Sequence, residues 1–160
     1  MWLFLLLPIS IVTFEAGSRL VSIGEGAFCR SGVTSLYLPA SLQRIGDSCF
    51  LRCKLLSTVT FGADSQLVSI GKKAFLRCSG LPSLCLPASL RELGDDCFFR
   101  CKLLSTVTFE VNSQSVRRIE IRSRYNGDRF IALPKDVEAL KMECFTRCPS
   151  LGPITFEVGS

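Results

Sequence analysis

The fold is decided by one stretch, Leu36-Tyr37-Leu38-Pro39-Ala40-Ser41-Leu42-Gln43-Arg44-Ile45-Gly46-Asp47-Ser48-Cys49-Phe50-Leu51-Arg52-Cys53, and by its near copy from Leu84 to Cys101. Each begins with a short apolar alternation closed by Pro39 or Pro87. Proline has no N–H to give a strand ladder, so the strand ends there. Each continues with an apolar pair three residues apart (Leu42/Ile45, Leu90/Leu93), then Gly46 or Gly94. A small residue then precedes phenylalanine, in Cys49-Phe50 and Cys97-Phe98. Glycine at that point permits a turn that a Cβ would strain. The segment around the phenylalanine reads as a short helical or 3₁₀ turn that drops the ring onto the strands.

Working outward, the same pattern fills the chain. Val12-Thr13-Phe14 returns as Val59-Thr60-Phe61, Val107-Thr108-Phe109 and Ile154-Thr155-Phe156, with steps of 47, 48 and 47 between the phenylalanines. Leu36-Tyr37-Leu38-Pro39, Leu84-Cys85-Leu86-Pro87 and Ile131-Ala132-Leu133-Pro134 fall midway. The unit is therefore about 24 residues, in two alternating forms. Its second half recurs as Leu20/Ile23-Gly24…Ala27-Phe28 and Leu67/Ile70-Gly71…Ala74-Phe75, and without the glycine as Val137/Leu140…Cys144-Phe145. One unit breaks down: Val116 and Ile119 keep the spacing, but Glu120 to Tyr125 holds neither glycine nor a small-Phe pair. Residues 115–129 thus read as a degenerate repeat. A single unit cannot bury its own apolar face, but stacked neighbours can. The expectation is one right-handed solenoid over 1–160 of about seven turns, with one short strand and one short helical turn per unit.

Composition sets further limits. At 160 residues and 17.6 kDa the chain suits one domain or a short array. With 48% hydrophobic and 21% charged residues it is not a disordered chain. A net charge of +5 is too weak to argue for nucleic acid, and two tyrosines and one tryptophan offer little base stacking. The absence of histidine removes Ser-His-Asp and Cys-His nucleophiles, the HExxH zinc site and imidazole acid–base work. There is no P-loop, GxGxxG or EF-hand spacing and no Asn-x-Ser/Thr acceptor. Neither an enzyme nor a cofactor is expected.

The run from Leu36 to Cys53, and its copy from Leu84 to Cys101, resembles the BspA-like leucine-rich repeats of Bacteroidetes and trichomonad surface proteins. The Phe-Glu-x-x-Ser link, at Phe14–Ser18 and Phe109–Ser113, is similar to trichomonad members. The resemblance covers nearly the whole chain. It implies a curved solenoid, placement at the cell surface or outside the cell, and adhesion or protein binding without catalysis.

The segment Met1 to Phe14 fits the tail of a preceding, truncated repeat; a weak signal peptide and a membrane anchor are the alternatives. It lacks a positive start and is too short to span a bilayer as a helix. Polar caps, which solenoids need, are not evident at either end, so a piece of a longer array is a competing expectation. Nine cysteines admit three readings: buried small hydrophobes, disulfides between turns, or a metal site. Cys49, Cys97 and Cys144 occupy the place that Ala27 and Ala74 hold, which favours the first. Cys53, Cys78, Cys101 and Cys148 share the place three after phenylalanine and would stack near the core.

Two columns are candidate binding surfaces. Thr13, Tyr37, Thr60, Cys85, Thr108, Ala132 and Thr155 take the outward strand position, with Phe130 beside them. Threonine suits an exposed strand on propensity alone. Tyr37 and Phe130 would be the aromatic anchors for a protein partner. Cys85 there would be an exposed thiol. The second column is Arg30, Arg52, Arg77, Arg100 and Arg147, each two after phenylalanine. Stacked like charges repel by about 1 kcal/mol per exposed pair. Asp47, Asp95, Asp96 and Glu143 are expected to offset that; an anionic glycan or other polyanion is the functional alternative.

Overall fold

A computed structural model describes residues 10–15, 17–111, 116–123, 127–134, 139–140, 147–151 and 155–158. The strands are β1 (Ile11–Val12), β2 (Ser22–Ile23), β3 (Ser35–Leu38), β4 (Arg44–Ile45), β5 (Thr58–Phe61), β6 (Ser69–Ile70) and β7 (Ser83–Leu86). They continue as β8 (Glu92–Leu93), β9 (Thr106–Val111), β10 (Val116–Ser123), β11 (Gly127–Pro134), β12 (Ala139–Leu140) and β13 (Thr155–Val158). The odd strands from β1 to β9 form one wall, in parallel groups β1-β3-β5 and β7-β9-β13. A second wall, β2-β4-β6-β8-β12, is also parallel. Each coil therefore carries two strands rather than the single one expected. The second is only two residues long, Arg44-Ile45 for example, too short to show period two in the sequence.

Register bears out the 24-residue unit. Tyr37 lies opposite Thr60, and Cys85 opposite Thr108. The alternation in β3 buries Leu36 and Leu38 and exposes Tyr37. In the second wall Ile23, Ile45, Ile70 and Leu93 turn inward, while Ser22, Arg44 and Glu92 face solvent. The ladder between β5 and β7 is interrupted for a physical reason. Thr34, Ser57 and Ser105 each give their N–H to the preceding coil, at 2.6, 2.8 and 2.9 Å. Pro82 holds the same place and has no N–H to give.

The expected helical turn is not there. No helix is present among the described residues. The reason lies in where the N–H groups go. Those of Ser48, Phe50 and Arg52 reach Lys72, Ala74 and Leu76 of the next coil, each at 2.8 Å. The alternate ones fold back three residues, Leu51 to Ser48 and Cys53 to Phe50, both at 3.1 Å. Half the donors thus bridge coils instead of closing a helix. This needs a left-handed backbone at two points per turn: Gly26, Ser48, Lys73 and Asp96 have φ of 52–63°, and Arg30, Arg52, Arg77, Arg100 and Arg147 have φ of 59–61°.

Glycine is needed for a different reason than strain in its own turn. Gly46, Gly71 and Gly94 do not have positive φ. A Cβ on Gly46 would come within 2.7 Å of the backbone of Gly24 and Glu25 in the coil before. These glycines let adjacent coils close on one another. The core between the walls is a phenylalanine stack. Phe28, Phe50, Phe75 and Phe98 lie ring on ring, with centroids 5.2, 5.1 and 5.4 Å apart. Leucines and isoleucines of both walls surround it.

Among the described residues four coils follow in unbroken succession, against the seven expected. The fifth, opened by β9, is interrupted. Within the span expected to be a degenerate repeat, the described strands β10 and β11 pair antiparallel, with Ile119 opposite Ile131 and Glu120 opposite Phe130. The solenoid resumes after it, as β12 pairs with β8 and β13 with β9. Thr155 lies directly opposite Thr108. Ala132, spaced to fall between them, belongs instead to the hairpin.

The spacing shows how much was inserted. Phe61 to Leu67 is six positions, and Phe109 to Val137 is 28, an excess of 22. Deleting 113–134 is expected to leave a folded solenoid with a cooperative urea transition. A collapsed or molten product would show the hairpin to be integral to the coils.

Candidate functional site

The outward positions of the first wall pair in register within each of its two strand groups. Tyr37 is 45% exposed and Thr60 is exposed, while Cys85 and Thr108 are half-buried. Parallel pairing places Tyr37 beside Thr60 and Cys85 beside Thr108, with Thr155 as the next backbone rung. Phe130 lies on β11, with its backbone opposite Glu120.

The basic column lines the turn edge. Arg30 and Arg147 are exposed; Arg52, Arg77 and Arg100 are half-buried. All five share the left-handed backbone, and their positions are set by the turn as much as by charge. The guanidinium groups of Arg100 and Arg147 both lie over the ring of Phe99, at 5.3 and 5.6 Å. That ring offers cations a favourable contact and spreads the repulsion. The Asp47 carboxylate, expected to offset the arginines, accepts the Lys72 N–H at 2.8 Å. Glu143 lies outside the described residues. Arg52→Gly is expected to hold or slightly raise stability by relieving positive φ, whereas Arg52→Val should lose about 1–2 kcal/mol. Urea titration of both variants measures the backbone's share at this position.

Among the described residues Cys29, Cys49, Cys53, Cys78, Cys101 and Cys148 are free thiols, and no group of three or more acid or thiol ligands gathers around a common point. Cys144 lies outside them. The column three after phenylalanine is a thiol ladder. Cys53, Cys78, Cys101 and Cys148 donate Sγ–H to the carbonyls of Phe28, Phe50, Phe75 and Phe98, at 3.0, 3.1, 3.2 and 3.0 Å. Cys148 reaches Phe98 across the hairpin, so the ladder resumes with the coils. The thiols are core groups with a polar duty that the sequence reading missed; a cysteine at constant distance from phenylalanine was its signal.

Burial pushes the Cys49 thiol up to about 12 and raises Cys53 and Cys78 as well. Cys101 is raised by its hydrogen bond with Cys148 and by burial. Alkylation needs thiolate. Iodoacetamide at pH 8 is expected to label exposed Cys29 and half-buried Cys85 first, and Cys49, Cys53, Cys78, Cys97 and Cys101 only after denaturation. Peptide mapping reads this; rapid labelling of Cys78 in native protein would contradict it. The native state holds the protons of Cys49, Cys53, Cys78 and Cys101 while the unfolded chain loses them above an ordinary thiol pKa of about 8.5. Stability should therefore fall as pH rises beyond about 9.

On the second wall an open groove of about 620 Å³ crosses β4, β6 and β8. Arg44, Lys72, Asp47, Glu92 and Asp95 line it with alternating charge.

Two parallel walls joined by glycine-tight coils define a repeat solenoid of the leucine-rich class. The chain belongs to the BspA type leucine rich repeat region family, whose pattern matches residues 8–126 in six copies. The chain is similar to the pneumococcal vaccine antigen PcpA, at 35% identity and a TM-score of 0.56 over 64% of its length. It spans 25% of that antigen. It is also similar to a leucine-rich repeat protein of Bacteroides capillosus (24% identity, TM-score 0.49, 62% of this chain and 75% of that one). A leucine rich cell surface protein of Faecalibacterium prausnitzii matches at 21% identity and a TM-score of 0.47, over 94% of this chain and 48% of that one. Comparison with curated proteins found no match. Among the described residues no helix is long and apolar enough to cross a membrane.

Proposed function

We propose that this chain is a non-enzymatic protein-binding and adhesion module, displayed on a cell surface or secreted, and that the first wall makes the contact. The observation that carries this is the outward column itself. Tyr37 pairs in register with Thr60, and Cys85 with Thr108, on successive coils, with a large aromatic ring 45% exposed at one end. Tyrosine supplies contact area at small entropic cost, and threonine presents a hydroxyl on a rigid strand. Family membership and the likeness to a pneumococcal antigen support surface placement.

The test uses purified chain on beads, offered to immobilised extracellular-matrix proteins and to epithelial cells. A Tyr37→Ser, Thr60→Lys, Thr108→Lys variant is expected to bind at least about tenfold less, with an unchanged far-UV spectrum. Equal binding would overturn the first-wall reading. The Phe99 ring shared by Arg100 and Arg147 favours a second reading, an anionic-glycan surface on the basic column. Loss of heparin retention on changing Arg52, Arg77 and Arg100 to glutamate would support it, and unchanged retention would remove it.

A further inference from the structure

Ten consecutive residues occur twice without change, Arg52-Cys53-Lys54-Leu55-Leu56-Ser57-Thr58-Val59-Thr60-Phe61 and Arg100 through Phe109. The core explains some of them. Cys53, Leu56 and Val59 are buried, as are Cys101, Leu104, Val107 and Phe109. Leu55 and Leu103 are not explained that way: they are 60% and 57% exposed. Lys54 and Lys102 beside them are also exposed. The two leucines lie two coils apart, and the rung between them is Gly80. A Cβ there would stand 2.6 Å from the Lys54 carbonyl oxygen and 3.0 Å from that of Leu56. Gly80 therefore sits flat on the coil of Leu55 and leaves a notch between two apolar knobs. On the far side of Leu103 the next rung is Ser150, which bonds the Lys102 carbonyl at 2.9 Å.

The notch has a definite size and charge. Stacked rungs repeat at about 4.8 Å, so the leucines are about 9.6 Å apart. One bulky side chain placed over Gly80 would have a leucine about 4.8 Å away on each side, the spacing of an ordinary core rung. The surrounding edge is cationic. Residues 48–63, 73–91 and 97–109 contain no aspartate or glutamate, but hold Arg52, Lys54, Arg77, Arg100 and Lys102. A second copy of this chain would bring these cations against their like. We infer that the notch takes one large apolar side chain of an acidic segment in a partner protein, with its carboxylates on Lys54 and Lys102. Specificity comes from the ring or aliphatic group in the notch; the lysines set orientation and speed of encounter. This surface lies on the turn-side edge and does not rest on the first-wall reading.

The test is an NMR titration of isotope-labelled chain with the peptide Glu-Asp-Trp-Asp-Glu, blocked at both ends. Shift changes are expected at the Gly80 amide and the Leu55 and Leu103 methyls. Trp→Ala in the peptide, or Leu55→Ser with Leu103→Ser in the chain, should weaken binding by about tenfold. Both leucines are exposed, so an unchanged amide spectrum should confirm the fold of the variant. Lys54→Glu with Lys102→Glu should abolish binding of the acidic peptide and create binding of Lys-Lys-Trp-Lys-Lys. Equal affinity for the Trp and Ala peptides would show charge attraction alone and overturn the proposal. So would shifts centred on Tyr37 and Thr60, which would leave the first-wall reading standing, or no shift at either place.

Discussion

Phe75→Ala is expected to lower stability by about 3–5 kcal/mol, the usual cost of removing a buried phenylalanine. For a chain of this size that is a fall in melting temperature of about 6–20 °C. Phe75 is fully buried and belongs to two ring stacks, with Phe50 at 5.1 Å and Phe98 at 5.4 Å. Truncation breaks both, and each such pair is worth about 0.5–1.5 kcal/mol beyond area alone. The rings above and below are tied to their own coils. The cavity therefore cannot close without parting the hydrogen bonds of Phe75 N–H to Cys97 and of Phe50 N–H to Ala74, at 2.9 and 2.8 Å. Phe28→Ala should cost less, because Phe28 is only half-buried and stacks on Phe50 alone among the described rings. Urea unfolding by circular dichroism measures the difference. Equal losses at the two positions would mean that the stack is not the core.

The second large effect is that of a single methyl group. Gly94→Ala is expected to destabilise by about 1–3 kcal/mol or more, as overpacking does in a close-packed interior. The new Cβ would fall 2.5 Å from the carbonyl carbon of Gly71 and 2.6 Å from Cα of Lys72, both backbone atoms that cannot swing aside. Gly24→Ala is the control, since among the described residues nothing lies within 4 Å of a Cβ there. It should be neutral within about 0.5 kcal/mol. The two residues hold equivalent places in the repeat, so the contrast isolates coil contact from turn conformation. If both substitutions were neutral, the coils would not approach as closely as the geometry requires.

The repeat was readable because a solenoid writes its register into sequence. Each coil must place the same kind of residue over the last, so Leu36, Val59, Leu84 and Val107 announce themselves by spacing. The buried thiols were readable likewise, since Cys49 and Ala74 trade places. The turn was misread because a Phe-x-Arg-Cys segment has the composition of a helical turn. What excludes a helix is the destination of its N–H groups, and that depends on the coil beside it. The role of Gly46, Gly71 and Gly94 was misread for the same reason, as glycine at a tight contact looks like glycine at a turn. The hairpin was hidden by coincidence: Ile131-Ala132-Leu133-Pro134 copies the look of Leu84 to Pro87 at the right distance. Antiparallel pairing within residues 116–134 won over stacking on a coil. Of the two candidate surfaces, the columns were visible as periodic outward positions. The notch over Gly80 was not, because it arises from what is missing between two repeats.

The most direct test of this account is the backbone register across the fifth coil. A three-dimensional NOESY on labelled chain would read interstrand amide and Hα contacts around Thr108. Contacts are expected from Thr108 to Cys85 on one side and to Thr155 on the other, with Ile119 facing Ile131 within the hairpin. Contacts between Thr108 and Ala132 would contradict it. They would return residues 115–134 to the stack as a coil and move Thr155 one rung further along the solenoid.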